Sequence, residues 1–281
     1  MTTLARVRRL GAQRLQTAGI ESPHTEAELL LSKAAGISRA ALVARSSDRA
    51  DECLLENFMA MVVRRCSREP LQYILGSWEF YGLPLEVRPG VLIPRSDTEL
   101  LVETALLRLP VGGRFLDWGT GSGCLPLAML SARDDLTAVA ADANPMAVSL
   151  AWLNLNSAGL LPRCLLWHSR MPIDIPVSDG ELSMIVSNPP YIPSAAMSSL
   201  MEEVRAEPRS ALEGGEDGLD WYRELFAWGP AKVRPGGWIL FEIGDGGQGE
   251  KLAEIAPPCL QFKGIFCDLS QKPRAALWLR V

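Results

Sequence analysis

The first quarter of the chain carries apolar residues at the spacing of helix faces. Leu54, Phe58 and Val62, for example, follow one another at intervals of four residues. Residues three or four apart share one face of a helix, so this pattern predicts short amphipathic helices. We therefore expect residues 1–75 to form a small helical domain. Two roles fit it, docking a substrate or stabilising the rest of the chain.

The pattern changes to alternation after this region. In residues 78–87, apolar and polar positions alternate around Gly82, which is typical of a β-hairpin. We expect residues 76–95 to be a linker built on this hairpin. Ser96 and Glu99 then form a capping-box pattern ahead of an apolar run, which predicts the start of a helix.

From Arg114 onward, short apolar runs alternate with helical patterns. Strands that alternate with helices are typical of a parallel sheet. We expect residues 96–281 to form one α/β domain. The predicted strands are residues 114–117, 137–141, 163–167, 181–186, 238–243, 262–269 and 275–281.

The loop after the first of these strands has the composition of a cofactor-binding turn. Glycines permit the backbone conformations of a tight turn and let a ligand approach the main chain. Dinucleotide-binding folds place glycines at the same point, but an acid two residues ahead favours a cationic ligand such as S-adenosylmethionine. Asp142, at the end of the second strand, can bind both hydroxyls of a ribose. The predicted cofactor residues are Asp117, Gly119, Thr120, Gly121, Ser122, Gly123 and Asp142, together with Asn188 of the loop described next.

The loop after the fourth strand is stiff and polar. Asn188 is followed by Pro189, Pro190 and Tyr191. Two successive prolines fix an extended backbone and remove two N–H donors. The loop therefore presents a carboxamide, proline carbonyls and an aromatic face, which suit a small planar group that carries N–H donors.

Composition and charge narrow the function classes. The net charge of −5 argues against a generally basic, nucleic-acid-binding surface. Six scattered cysteines and two histidines predict free thiols in a reducing compartment and no metal site. No apolar run has the length of a membrane span. An arginine-rich, acid-free start is compatible with a mitochondrial transit peptide, but we favour an amphipathic helix and a cytoplasmic location.

Further short motifs accompany the two loops. In order with the glycine loop they are Gln72–Gly76, Phe80–Gly82, Val91–Arg95, Thr98-Glu99, Glu207–Leu212, Gly214–Leu219 and Glu242–Gly244. Together they resemble the HemK-type protein-glutamine N5-methyltransferases, a family that modifies peptide chain release factors, and the resemblance spans nearly the whole chain. Asn-Pro-Pro-Tyr alone is shared with enzymes that methylate amino groups of DNA bases, so the specificity of the resemblance comes from the other motifs.

The resemblance implies a Rossmann-like class I methyltransferase fold with a mostly parallel seven-stranded sheet, and S-adenosylmethionine as the methyl donor. It implies that Asn188 and the Pro189 carbonyl accept the two N–H bonds of a substrate glutamine amide, while Tyr191 packs on the amide. The implied substrate is the glutamine of the Gly-Gly-Gln motif in class I release factors, docked by the helical domain. We expect a monomer without membrane or nucleic-acid partners.

Some positions depart from the family pattern. Trp118 stands where the family usually has a small or apolar residue, and Pro126 falls in the first turn of the next helix. Ser169, followed by Arg170, occupies the position where the family commonly places an aspartate near the adenine. We expect Ser169 and Arg170 at the adenine side of the cofactor site, without that carboxylate.

Three other functions share parts of this pattern. One is methylation of a ribosomal-protein glutamine, a branch that Ser96 resembles, although Thr98-Glu99 favours the release-factor branch. Another is methylation of DNA or RNA bases, which requires a basic groove. The last is a non-catalytic binding module, against which the two intact loops argue.

Overall fold

The computed structural model describes residues 2–281, which form eleven α-helices and nine strands. The helices are α1 (Leu4–Thr17), α2 (Pro23–Ala35), α3 (Arg39–Ala44), α4 (Glu52–Cys66), α5 (Leu71–Leu75), α6 (Glu99–Leu106), α7 (Cys124–Ala132), α8 (Pro145–Ser157), α9 (Glu202–Arg205), α10 (Asp220–Lys232) and α11 (Gln248–Ile255). The strands are β1 (Ser77–Phe80), β2 (Leu83–Glu86), β3 (Arg114–Trp118), β4 (Thr137–Asp142), β5 (Cys164–His168), β6 (Leu182–Ser187), β7 (Val233–Glu242), β8 (Leu260–Cys267) and β9 (Pro273–Arg280). Within residues 2–281, none of these helices is both long and apolar enough to cross a membrane.

The chain forms two compact units. The first comprises residues 2–77 with Met201–Ala206, and the second comprises Trp78–Leu200 with Glu207–Val281. The short helix α9 therefore belongs to the first unit although its sequence interrupts the second. The first unit is therefore built from two separate segments of the sequence, and the predicted continuous domain of residues 1–75 does not include the second of them.

The first unit is a bundle of short helices in which α1 packs on α2 and α4. A Cβ atom at Gly11 of α1 would lie 2.3 Å from the Phe58 ring of α4, so only glycine permits this close crossing. The start of α4 is capped by the Asp51 carboxylate, which accepts the Leu54 N–H (2.7 Å). Val7 and Val62 are fully buried beside this crossing and contribute the apolar core.

A buried ion-pair cluster ties α9 to the rest of the first unit. The Arg65 side chain, 8% exposed, donates from Nε to Glu26 of α2 (2.6 Å) and from Nη1 to Glu203 of α9 (3.0 Å). Arg68 donates to the same Glu203 carboxylate (3.2 Å). Removing Arg65 would leave the Glu26 carboxylate, 15% exposed, without this partner, while Glu203 would keep its hydrogen bond from Arg68.

We predict that Arg65→Ala lowers the free energy of unfolding by about 3 kcal/mol, because breaking a buried ion pair strands the remaining charge. Arg64→Ala is the matched control. Arg64 pairs with Glu69 at the surface, where its side chain is 47% exposed, so its removal should cost less than about 1 kcal/mol. Urea-induced unfolding of the full chain measures both, and equal losses would contradict the assigned difference.

The second unit contains the predicted α/β sheet. Its seven strands lie in the order β5-β4-β3-β6-β7-β9-β8, parallel except for β9, which runs antiparallel to β7 and β8. Successive strand residues point to opposite faces. Accordingly, Phe115 of β3 belongs to one apolar cluster with α6 and α7, and Leu116 to another with α10 and α11. Both faces are covered by helices, which confirms the predicted Rossmann-like class.

The predicted hairpin is present as the two-stranded sheet β1–β2. Its turn places Tyr81 (φ 53°) and Gly82 (φ 72°) in the left-handed region. This conformation suits a tight hairpin turn, but a tyrosine adopts it less readily than glycine. Within the turn, the Tyr81 N–H is held by the Glu99 carboxylate (2.8 Å).

The predicted capping box at Ser96 and Glu99 is wrong. Ser96–Thr98 form a 3-10 turn and α6 begins at Glu99, with no side-chain cap at either start. The Glu99 carboxylate is used by Tyr81 of the hairpin, and the Thr98 hydroxyl is directed to Glu242 of β7 (2.6 Å). The box fails because Glu99 is used by the hairpin, and Thr98, the residue at the N-cap position of α6, gives its hydroxyl to β7 instead.

Candidate active site

A cavity of about 390 Å³ lies where β3, β4 and β6 end. These parallel strands are neighbours, and in open α/β sheets ligands bind beyond the carboxyl ends of the strands. Its walls combine the glycine loop after β3, Asp142 after β4 and Asn188 after β6. The remaining lining includes Val91, Leu92, Arg95, Thr98, Trp118, Asn144, Ala147, Pro190, Pro208, Ala211 and Trp221.

The glycine loop is anchored on the end of β4. The N–H groups of Gly119 and Thr120 both donate to the Ala141 carbonyl, at 2.8 and 3.0 Å. Gly121 adopts φ 56°, a conformation that glycine reaches without strain. At Gly123 a Cβ atom would lie 3.0 Å from the Ala151 side chain of α8, so this glycine allows close helix packing.

Polar atoms without partners are concentrated beneath this loop. Asp117 is fully buried, and neither of its carboxylate oxygens has a hydrogen-bond partner within residues 2–281. The hydroxyls of Thr120 and Ser122 are also buried and unpaired there. Burial raises the pKa of Asp117 to about 7; the nearby Thr120 hydroxyl opposes this shift and the charge of Asp142 adds to it. Unpaired acceptors and hydroxyls in one place fit a site that binds a polar, cationic ligand.

Asp142 lines the cavity, and its carboxylate has acceptor positions that no group of residues 2–281 occupies. One of its oxygens accepts the Gly121 N–H (2.9 Å) and the other accepts the Asn144 N–H (2.8 Å). Burial raises the pKa of Asp142, and these two N–H bonds oppose the rise. A carboxylate has about four acceptor positions, so two remain available for a pair of ligand hydroxyls.

Asn188 is held by a chain of hydrogen bonds. Its Nδ2 donates to the Thr98 hydroxyl (3.1 Å), and that hydroxyl donates to Glu242 Oε2 (2.6 Å). The Tyr191 hydroxyl lies 3.4 Å from the other Glu242 oxygen. Asn188 and Pro190 line the cavity, and Pro189 and Tyr191 are not among its lining residues.

The Asn-Pro-Pro-Tyr loop rests on a second glycine-rich segment. Cβ atoms at Gly214 and Gly218 would lie 2.6 Å from the Pro190 carbonyl oxygen and 2.4 Å from the Tyr191 carbonyl oxygen. The backbone of Ile192 also pairs with this segment, since the Gly214 N–H donates to the Ile192 carbonyl (2.8 Å). These glycines let two loops touch along their backbones and hold the site in place.

Sequence reasoning did not assign Glu242 to the site. Its side chain is buried, and burial raises its pKa to about 7. The Thr98 hydrogen bond and Arg274 lower that pKa, and Asp97 raises it. The sequence did contain one indication of such a role, since Glu242 is an acid at the end of the apolar run Trp238–Phe241, near the end of a predicted strand.

Trp118 and Trp221 form an aromatic wall of the cavity, with ring centroids 5.0 Å apart. Trp221 had no sequence signal beyond its position at the start of a helix. Ser169 and Arg170 do not line the cavity. The Ser169 hydroxyl donates to the Met171 carbonyl (2.6 Å). The proposed adenine-side role of both residues stays a prediction.

No group of three or more metal-binding side chains occurs in the described part of the chain, residues 2–281. The buried acid Asp117, the hydroxyls of Thr120 and Ser122 and the remaining acceptor positions of Asp142 fit an organic cation that carries hydroxyls.

The sheet order and this site define a class I S-adenosylmethionine-dependent methyltransferase. Residues 6–76 match the PrmC N-terminal domain family and residues 95–217 the methyltransferase small domain family. A release factor glutamine methyltransferase of Geobacter sulfurreducens is 43% identical over 229 residues, which cover 81% of this chain and 79% of the relative. One of Moorella thermoacetica is 38% identical over 271 residues, which cover 95% of each chain. The chain belongs to the release factor glutamine methyltransferase family.

A solved structure supports the fold. The crystal structure of a methyltransferase from Pyrococcus furiosus superposes with a TM-score of 0.53 at 18% identity, covering 80% of this chain and 98% of that one. At this identity the likeness concerns the fold alone.

We predict that Asp117→Asn stabilises the ligand-free protein, and increasingly so as pH rises from about 5 to about 8. The folded-state pKa of Asp117 lies near 7, above its ordinary 3.8, so the ionised acid destabilises the fold. The folded state holds this proton more tightly than the unfolded state, and stability is lost as pH rises between the two pKa values. The gain at pH 8 should reach up to about 4 kcal/mol.

Thermal unfolding at both pH values measures this gain. Asp135→Asn is the matched control, because Asp135 is paired with Arg133 at the surface and its pKa is lowered to about 2. The control should not stabilise the protein at either pH. A gain from Asp117→Asn that is independent of pH would contradict the assigned cause.

Proposed function

We propose that this enzyme transfers a methyl group from S-adenosylmethionine to the side-chain amide nitrogen (N5) of the glutamine in the Gly-Gly-Gln motif of class I release factors. Such a modification would modulate translation termination. The observation that carries the proposal is the Asn188 carboxamide, which lines the cavity beside the glycine loop while its Nδ2 is bonded to Thr98 (3.1 Å). The names of the Geobacter and Moorella relatives support this acceptor.

Two acids suit the donor, Asp142 in the cavity wall and Asp117, which is buried next to the lining residue Trp118. The buried Asp117 carboxylate, unpaired within residues 2–281, offers a counter-charge for the ammonium of the methionine part. Asp142 has acceptor positions left for the ribose hydroxyls. Bound S-adenosylmethionine supplies a methyl group activated by its sulfonium charge and is released as S-adenosylhomocysteine.

Asn188 would act on the acceptor amide. An amide nitrogen is a poor nucleophile because its lone pair is delocalised into the carbonyl. In this proposal, Asn188 Oδ1 and the Pro189 carbonyl accept the two N–H bonds of the substrate and hold the nitrogen in position. The nitrogen would gain its bond to the methyl carbon as the carbon–sulfur bond of the donor breaks. The N-methylated amide, which carries the positive charge at that point, is acidic enough to pass one N–H proton to water without a strong base.

Tyr191 would support this clamp from behind. Its ring lies against Gly244, where a Cβ atom would approach the ring carbon Cδ2 to 3.0 Å. Burial and the charge of Glu242 raise the pKa of Tyr191 well above its ordinary value, so its hydroxyl keeps its proton. Packing of the Tyr191 ring on the substrate amide stays part of the proposal.

The proposed function also implies a protein partner and a cellular compartment. We propose that the first unit docks the release factor, and that the enzyme acts as a monomer in the cytoplasm. All six cysteines are free, which suits a reducing compartment. The net charge of −5 speaks against base methylation of DNA or RNA.

We predict that labelled S-adenosylmethionine and purified release factor give methylation at the glutamine of Gly-Gly-Gln, located by mass spectrometry. Asn188→Ala should lower kcat by roughly 100-fold or more, because it removes an acceptor that acts on the reacting nitrogen. The exposed Asn156→Ala on α8 is the matched control and should act as the wild type. Label in DNA but not in release factor, or unchanged transfer by Asn188→Ala, would sink the proposal.

A further inference from the structure

Asn188, Thr98 and Glu242 form a relay of hydrogen bonds that ends in a buried acid. The Asn188 carboxamide and Thr98 line the cavity, and Glu242 lies behind them. The distances are 3.1 Å from Asn188 Nδ2 to Thr98 Oγ1 and 2.6 Å from Thr98 Oγ1 to Glu242 Oε2. These residues come from the turn before α6, the loop after β6 and the end of β7, so the relay joins three separate parts of the second unit.

The ionised form of Glu242 determines which group donates and which accepts in each hydrogen bond of this relay. An ionised carboxylate only accepts hydrogen bonds, whereas a hydroxyl has a single hydrogen to donate. Thr98 must therefore give its hydrogen to Glu242, and it faces Asn188 with a lone pair. Only the NH2 group of Asn188 can meet that lone pair. With the carboxamide reversed, Oδ1 and the Thr98 oxygen would be two acceptors about 3.1 Å apart.

We propose that Glu242 is a positioning residue that, through Thr98, turns Asn188 Oδ1 toward the acceptor site and so makes the site selective for an amide over a carboxylate. The inference rests on the function proposed above and deepens it. A substrate amide offers two N–H donors to Asn188 Oδ1 and the Pro189 carbonyl. A glutamate side chain offers only oxygens, which would face acceptors and be repelled.

A protonated Glu242 would no longer fix the orientation of the Asn188 carboxamide. A neutral carboxyl group can donate its own hydrogen to Thr98, whose hydroxyl is then free to donate to Asn188 Oδ1. The groups that face Glu242 are the hydroxyls of Thr98, Tyr191 and Tyr222, the Cys124 thiol and the charges of Asp97 and Arg274. Arg274 and the Thr98 hydroxyl favour the ionised form, and Asp97 opposes it.

A role as general base does not fit the same geometry. Glu242 does not line the cavity, and Thr98 stands between it and Asn188. A proton from the substrate would have to cross both side chains to reach it. Glu242 is therefore assigned to orientation and not to proton removal.

The test compares Thr98→Val, Thr98→Ser and Glu242→Gln with the wild type at saturating S-adenosylmethionine. Saturation keeps Asp117 beside its counter-charge, so kcat reports on the relay rather than on donor binding. Thr98→Val, which has no hydroxyl, should lower kcat about 10-fold to 100-fold, and Thr98→Ser should restore it to within a few-fold. Thr104→Val is the matched control, a buried threonine of α6 that does not line the cavity.

Two further measurements, a pH profile of kcat and inhibition by a glutamate-containing release factor, distinguish an orienting role of Glu242 from a purely structural one. The wild-type kcat should fall as pH drops below about 7, the folded-state pKa of Glu242, whereas Glu242→Gln should show a lower kcat without this step. A release factor with glutamate in place of the Gly-Gly-Gln glutamine should inhibit the wild type weakly. It should inhibit Thr98→Val and Glu242→Gln at least 5-fold more tightly, because their Asn188 NH2 group can turn toward the carboxylate.

The outcomes distinguish a failure of the proposed function from a failure of the proposed role of Glu242. Absence of transfer to release factor by the wild type contradicts the proposed function. Transfer by the wild type, with unchanged kcat, pH profile and glutamate inhibition in the variants, contradicts the relay alone. A lower kcat with an unchanged pH profile and unchanged inhibition also contradicts it, since that result marks a structural role. If Glu242→Gln fails to fold, the Thr98→Val and Thr98→Ser pair decides the matter by the same readings.

Discussion

The parallel pairing of β3 with β4 on one side and β6 on the other is the constraint on which the site depends. Trp118 lies opposite Ala141 of β4, and Asp117 lies opposite Val186 of β6. This register brings the three strands to an end at nearly the same height. Loops that are far apart in sequence therefore start from one edge of the sheet, and the glycine loop, Asp142 and Asn188 meet without long connections of their own.

Two ionisable acids are buried at this edge, and their environments differ. Asp117 has no hydrogen-bond partner within residues 2–281, and Glu242 is approached by two hydroxyls. Burial raises the pKa of both to about 7. An unpaired buried acid costs stability, and functional sites are where proteins tolerate that cost. Asp117 is suited to meet a charge on a ligand, whereas Glu242 is suited to orient neighbours.

Much of the fold could be predicted because its signals are local. Apolar runs of strand length predicted the seven strands, and glycine and proline marked the two loops of the site. The capping box failed because Tyr81 uses the Glu99 carboxylate. Thr98 and Glu242 were not assigned to the site because their bonds join residues 90 and 144 positions apart. Periodicity and spacing carry no information at that distance.

The sequence by itself determined the class of fold, the family resemblance and the residue types at the ends of β3, β4 and β6. These depend on periodicity and short motifs, which the chain carries in contiguous segments. Only the tertiary structure decided which way the Asn188 carboxamide faces, and that α9 joins the first unit through Arg65. A hydrogen bond has a direction only once both partners are in place, and folding alone brings such distant partners together.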